Sequence, residues 1–156
     1  MSRCSELVDA FADSARRNAA IIELIGAINA RDLRRVRVSS GAKAALIAGL
    51  EHPNAKVRWW CLQLMDHLAD ASYLGPILSK LADPVAKVRR HAIHALSCGV
   101  CKPDREALAV EIGPALRRVL ANDPDEKVRE EARQALAALG AARAGSAASD
   151  RGAVRS

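Results

Sequence analysis

Aromatic side chains are almost missing from this chain: one Phe, one Tyr and two Trp stand in 156 residues. Half of the residues are hydrophobic, but that half is mostly Ala and Leu. A sheet core draws on β-branched and aromatic side chains, which are scarce here, so the composition speaks against one. Ala and Leu instead favour helices that pack closely. No apolar run approaches the ~18 residues of a membrane span. The first residues, Met1 to Glu6, carry an acid where an export signal has its apolar core. Four Cys without a paired framework fit a reducing compartment, so a cytoplasmic location is expected. A Gly-rich phosphate loop, a Ser nucleophile motif and a His-Glu-x-x-His helix are all missing. These absences lower the expectation of enzymatic activity and leave it open.

What the chain does contain is a phrase repeated with variations. Leu81 to Leu96 reads Leu-Ala-Asp-Pro-Val-Ala-Lys-Val-Arg-Arg-His-Ala-Ile-His-Ala-Leu, and Leu50 to Met65 and Ala121 to Leu136 echo it. The Val-Arg pairs begin at Val57, Val88 and Val128, intervals of 31 and then 40 residues. Periods of that length belong to stacked repeats, in which one copy cannot bury its apolar face alone. Each copy reads as a first helix, a turn at Pro, and a second helix. Gly75-Pro76 and Gly113-Pro114 read as helix starts, because Pro at a first turn loses no intrahelical bond. Asp83-Pro84 and Asp123-Pro124 read as stops, because the residue before Pro avoids the α region. Second helices are predicted over about 54–69, 85–97 and 125–139. Val57, Cys61, Leu64, Met65 and Leu68 fall on one stripe, as do Val88, Ala92, Ala95, Leu96 and Gly99, and Val128, Ala132, Ala135, Leu136 and Leu139.

Residues 1–140 read as one domain. Within it, 1–40 form degenerate capping helices, and 41–70, 71–100 and 101–140 are repeats. Residues 141–156 turn to Ala, Gly, Ser and Arg without periodicity and read as a disordered tail.

A short helix, an Asp-Pro turn, and Val-Arg followed by a small residue and Ala-Leu resemble the HEAT repeat, particularly its bacterial PBS-lyase-like branch. The resemblance covers about 41–140. It implies an all-α, right-handed solenoid of helical hairpins, an armadillo-like superhelix whose second helices line a concave binding surface. It also implies a ladder between copies, with Arg58, Arg89 and Arg129 as the arginines and Asp83 and Asp123 as the acids. His52 stands where the first copy would carry its acid. Deoxyhypusine hydroxylases of this broad class hold a di-iron centre with His-Glu pairs. Here His52, His67, His91 and His94 are followed by Pro, Leu, Ala and Ala, so that activity does not carry over.

Function has to lie where the copies differ. In register, Trp60, Gln63 and His67 answer to His91, His94 and Cys98, and these to Glu131, Gln134 and Ala138. A protein partner is expected on this column, through Trp60, Gln63, His67, His91, His94 and Glu131. A second expectation is a metal, zinc or iron, at His94, Cys98 and Cys101, with His91, His67 or water as the fourth ligand. His and Cys are zinc ligand types, and Cys98-x-x-Cys101 is a common half-site. On an unbroken helix, His91 to Cys101 would be strung along ~15 Å, too far for one tetrahedral ion, so the helix must end near Gly99. A third, weaker expectation is nucleic-acid binding through Arg31, Arg34, Arg35, Arg37 and Lys43, drawing on the net charge of +6. Scarce stacking aromatics argue against it for single strands.

Overall fold

Eight α-helices and no strand make up the described part of the chain. The computed structural model describes residues 2–27, 33, 37–68, 70–98 and 105–153, with side chains over 110–140 of the last stretch. The helices are α1 (Arg3–Asp9), α2 (Arg17–Ile25), α3 (Ser40–Gly49) and α4 (Ala55–Leu68). They continue as α5 (Leu74–Ser79), α6 (Ala86–Ser97), α7 (Arg105–Asn122) and α8 (Glu126–Ala153). α4, α6 and α8 lie side by side, each packed on the next, while α3, α5 and α7 each pair with the helix that follows. α1 and α2 pack on each other, and α1 also meets α3.

Local sequence sets the boundaries. Ser39 begins α3 by accepting the Ala42 N–H on its hydroxyl. α2 ends at Gly26, whose φ of 76° is left-handed and whose N–H bonds the Ile22 carbonyl. All the Val-Arg helices start within one residue of their predicted places. Most of the predicted stripes are core: Val57, Cys61, Val88, Ala92, Val128 and Ala132 are buried, Leu68 and Leu136 are partly buried at the edge, and Gly99 lies outside the described residues. Leu62 and Ile93 also point inward, which widens the stripe beyond the repeated positions.

Two stretches differ from the sequence reading. Pro114 does not open its helix but sits inside α7, which begins at Arg105. Residues before Gly113 continue the helix backwards, so Pro114 interrupts an established ladder of backbone bonds. α8 runs on to Ala153, past Gly140, where the sequence reading ends the domain. Ala and Arg are strong helix formers, and loss of apolar periodicity does not by itself stop a helix.

The copies are held in register by arginines. Arg58 Nε and Nη2 donate to the two carboxylate oxygens of Asp83 at 2.7 and 2.9 Å, while Nη1 donates to the carbonyls of His52 and Pro53. Arg89 repeats this with Asp123 at 2.7 and 2.8 Å and with the Asp83 carbonyl. Arg129 donates to the Asp123 and Pro124 carbonyls. The first turn substitutes a looser pair, His52 Nε2 at 3.5 Å from Asp9 Oδ1. Asp83 and Asp123 also accept the backbone N–H two residues on, which shapes each turn before its helix.

Burial would raise the Asp83 and Asp123 carboxyls, but the guanidinium bonds and those backbone N–H groups outweigh it and hold both below the ordinary range. Each carboxylate therefore adds stability above the unfolded value of about 3.9, and that stability is lost as pH falls through it towards the lower folded value. Asp83→Ala, which strands an almost fully buried guanidinium, is expected to cost about 3 kcal/mol in urea unfolding. It should also flatten the loss of stability below about pH 4. Asp123→Ala should cost less, because Asp123 is more exposed.

Gly49 marks the closest approach of three helices. A Cβ there would stand 2.5 Å from Cys61 Sγ and 2.7 Å from a Val8 methyl, both on short buried side chains. Gly49→Ala gains at most about 1 kcal/mol of helix propensity at this last helical position. Overpacking costs about 1–3 kcal/mol, so a net loss of stability is expected by thermal or urea unfolding.

Candidate functional site

The site forms where α4 and α6 lie against each other, and its centre is a tryptophan outside the aligned column. Trp59 stacks on His91 with ring centroids 4.6 Å apart and an interplanar angle of 33°. His91 in turn stacks on His94 at 5.8 Å and 14°. Trp59, His91 and His94 thus make a short ring stack running from α4 onto α6. The signal for Trp59 was available: residues four and seven apart share a helix face, so Trp59, Gln63 and Asp66 line up. The repeat alignment hid it, because the corresponding residue of the next copy is Arg90.

Trp60 meets Trp59 edge to face at 5.0 Å and lies under Arg17, whose Cζ is 4.3 Å from the ring centroid. Both tryptophans are half-buried. Lys87 Nζ stands 5.3 Å from the Trp59 centroid, and these two cations are placed for attraction to the ring faces. Gln63 and His67 bond each other at 2.7 Å between Nε2 atoms, one turn apart on α4. Glu131 on α8 reaches Arg90 on α6 at 3.4 Å.

Two hollows flank Trp59. One, of about 270 Å3, is lined by Trp59, Lys87, Arg90, His91, His94 and Glu131. The other, of about 530 Å3, has Trp59, Trp60, Val85 and Val88 as its apolar wall, with Arg17, Lys56 and Lys87 around it. Val85 is one of few large apolar side chains left exposed. Of the six residues expected to meet a partner, His91, His94 and Glu131 line the first hollow and Trp60 the second. Gln63 and His67 lie apart from both.

His91 is pushed down to about 4, first by burial and then by His94, His67 and Lys87. It is a neutral ring at physiological pH, held as part of the stack. Its Nε2 has no hydrogen-bond partner among the described residues.

The expected metal ligands are only partly brought together. Cys101 lies outside the described residues. His94 and Cys98 do converge, and the third group that joins them is Asp66 of α4, which spacing of His and Cys alone did not reveal. α6 ends at Ser97 with Cys98 as its cap, in keeping with a helix that must stop near Gly99. Cys61 is a core residue: burial pushes its thiol up and keeps it protonated.

Of the basic residues considered for nucleic acid, Arg31, Arg34 and Arg35 lie outside the described residues. Lys43 bonds Asp70, and with Ser72 it holds that carboxyl down at about 2. Its charge is thereby matched within the protein. No helix among the described residues is long and apolar enough to cross a membrane.

Residues 44–137 match the family model for HEAT repeats. No match emerges among curated proteins.

Proposed function

The chain belongs to the HEAT-repeat family, and from that premise we propose that it is a scaffold which binds another protein across α4, α6 and α8. HEAT repeats commonly serve as scaffolds for protein interactions. The observation that carries the reading is the pair of hollows on either side of Trp59. A soluble surface seldom spends its few tryptophans on half-exposed positions, and aromatic and Arg anchors dominate binding energy at interfaces.

The charge around the hollows selects the partner. Arg17, Lys56, Lys87 and Arg90 surround them, while Glu131 is the acid among their lining residues and already pairs with Arg90. An acidic segment carrying one large apolar side chain fits this arrangement. The apolar group would enter against Trp59, Trp60 and Val85, and its carboxylates would meet the cations. His91 and His94 would form the floor beside Trp59, with Glu131 limiting how far the acidic chain can extend towards α8.

The test is photo-crosslinking from position 59 in cells, followed by affinity measurement with the captured protein or its acidic segment. Trp59→Ala and the pair Lys87→Glu with Arg90→Glu are each expected to weaken binding by about tenfold or more. Raising salt should weaken the wild-type complex but have little effect on the charge-reversed one. Equal affinity of wild type and both variants for the captured partner would overturn the assignment.

A further inference from the structure

We infer that Asp66, His94 and Cys98 form a zinc site at the junction of α4 with the end of α6. The inference does not rest on the protein-binding reading, although the two share His94, which also lines the smaller hollow beside Trp59. One carboxylate oxygen, one imidazole nitrogen and one sulfur lie within 4.8 Å of one another. His94 Nε2 is 3.6 Å from Asp66 Oδ2. Zinc bonds of about 2.0–2.3 Å in a tetrahedral arrangement separate ligand atoms by roughly 3.3–3.7 Å. The imidazole and carboxylate therefore already stand at ligand spacing, and the sulfur, within 4.8 Å of both, has at most about 1 Å to close.

The local fold lets it do so. Cys98 caps α6 with φ −60° and ψ 107°, so its backbone has left the helix, while its N–H still bonds the His94 carbonyl at 2.9 Å. This keeps Cys98 one turn from the imidazole, at a partly buried position at the helix end. Asp66 forms the floor, with 1% of its side chain exposed, and His94 the rim, with 51% exposed. An ion could enter past the histidine and settle against the carboxylate. The stacking of His91 on His94 limits the rotation of the liganding ring.

Ligand chemistry selects the ion. Calcium and magnesium take oxygen sets, whereas a thiolate, an imidazole and a carboxylate together suit zinc. Three protein ligands leave the fourth position to water. On binding, the Cys98 thiol gives its proton to solvent and the sulfur becomes a thiolate ligand.

The full chain, reduced and prepared without chelator, is titrated with zinc chloride against a chromophoric chelator. One zinc per chain is expected, with affinity weakened at least about tenfold by Cys98→Ser and by Asp66→Asn. Cobalt in place of zinc should show a thiolate-to-metal absorption band that Cys98→Ser lacks. His52→Gln, whose imidazole lies before the start of α4, at the opposite end from Asp66 and beside Asp9, should change neither measurement. Asp66 is buried and its variant can lose fold, so helicity by circular dichroism accompanies each protein. Cys98 sits at a helix end, which keeps Cys98→Ser decisive. Uptake with unchanged affinity in Cys98→Ser, or no stoichiometric uptake by a folded wild type, overturns the site.

Discussion

The bidentate bond between Arg58 and Asp83 sets the spacing on which everything else depends. Asp83 is nearly inaccessible and Arg58 almost so. A guanidinium removed from water must have its donors met, and Arg58 meets them with two carboxylate oxygens and two carbonyls of its own turn. That planar fork has one geometry, so the turn before α4 and the turn before α6 are held at a single distance and angle. A buried ion pair of this kind is a poor source of net stability, since desolvation opposes the attraction. Its worth is register. Arg89 and Asp123 repeat the device between α6 and α8, and the apolar stripes between them then meet as complementary surfaces.

The candidate site follows from that register. With α4 and α6 fixed side by side, Trp59 comes to rest against His91, and Asp66 arrives beside His94 and Cys98. None of these contacts is built by a local motif. The middle repeat is also the one whose second helix is followed by the longer interval, and its end is where Cys98 leaves the helical path. A regular array is thus interrupted at one point, and the unusual side chains gather there. An aromatic face rimmed by cations lies on one side of Trp59, and a mixed oxygen, nitrogen and sulfur cluster lies beyond the histidines.

The repeat register and the position of each Val-Arg helix were legible because they are local or periodic, and the ladder partners followed from the resemblance to HEAT repeats. Periodicity of 3.6 residues marks a buried stripe directly, and a Pro after Asp marks a turn. The site was legible only in part. His91, His94 and Glu131 stood in an alignable column and line one hollow, whereas Trp60 lines the other and Gln63 and His67 lie apart from both. Trp59 and Asp66 escaped because they stand one position outside it. A helix buries a wide face, and residues at its margin reach across to the neighbour at an angle that alignment does not encode. Pro114 was misplaced for a related reason: a proline that permits a helix start does not require one.

By itself, then, the sequence determined an all-α stack of HEAT-type hairpins, its buried stripes and its arginine ladder. The stripes and turns recur from copy to copy, at intervals of 31 and 40 residues, and the ladder joins arginine and acid positions that the resemblance to HEAT repeats implies. Only the tertiary structure decided which ring lies on which histidine and which carboxylate faces the thiol. Those pairings depend on the approach of helices some 30 residues apart, where a rotation of one helix by a single position would exchange Trp59 for Trp60 and Asp66 for His67.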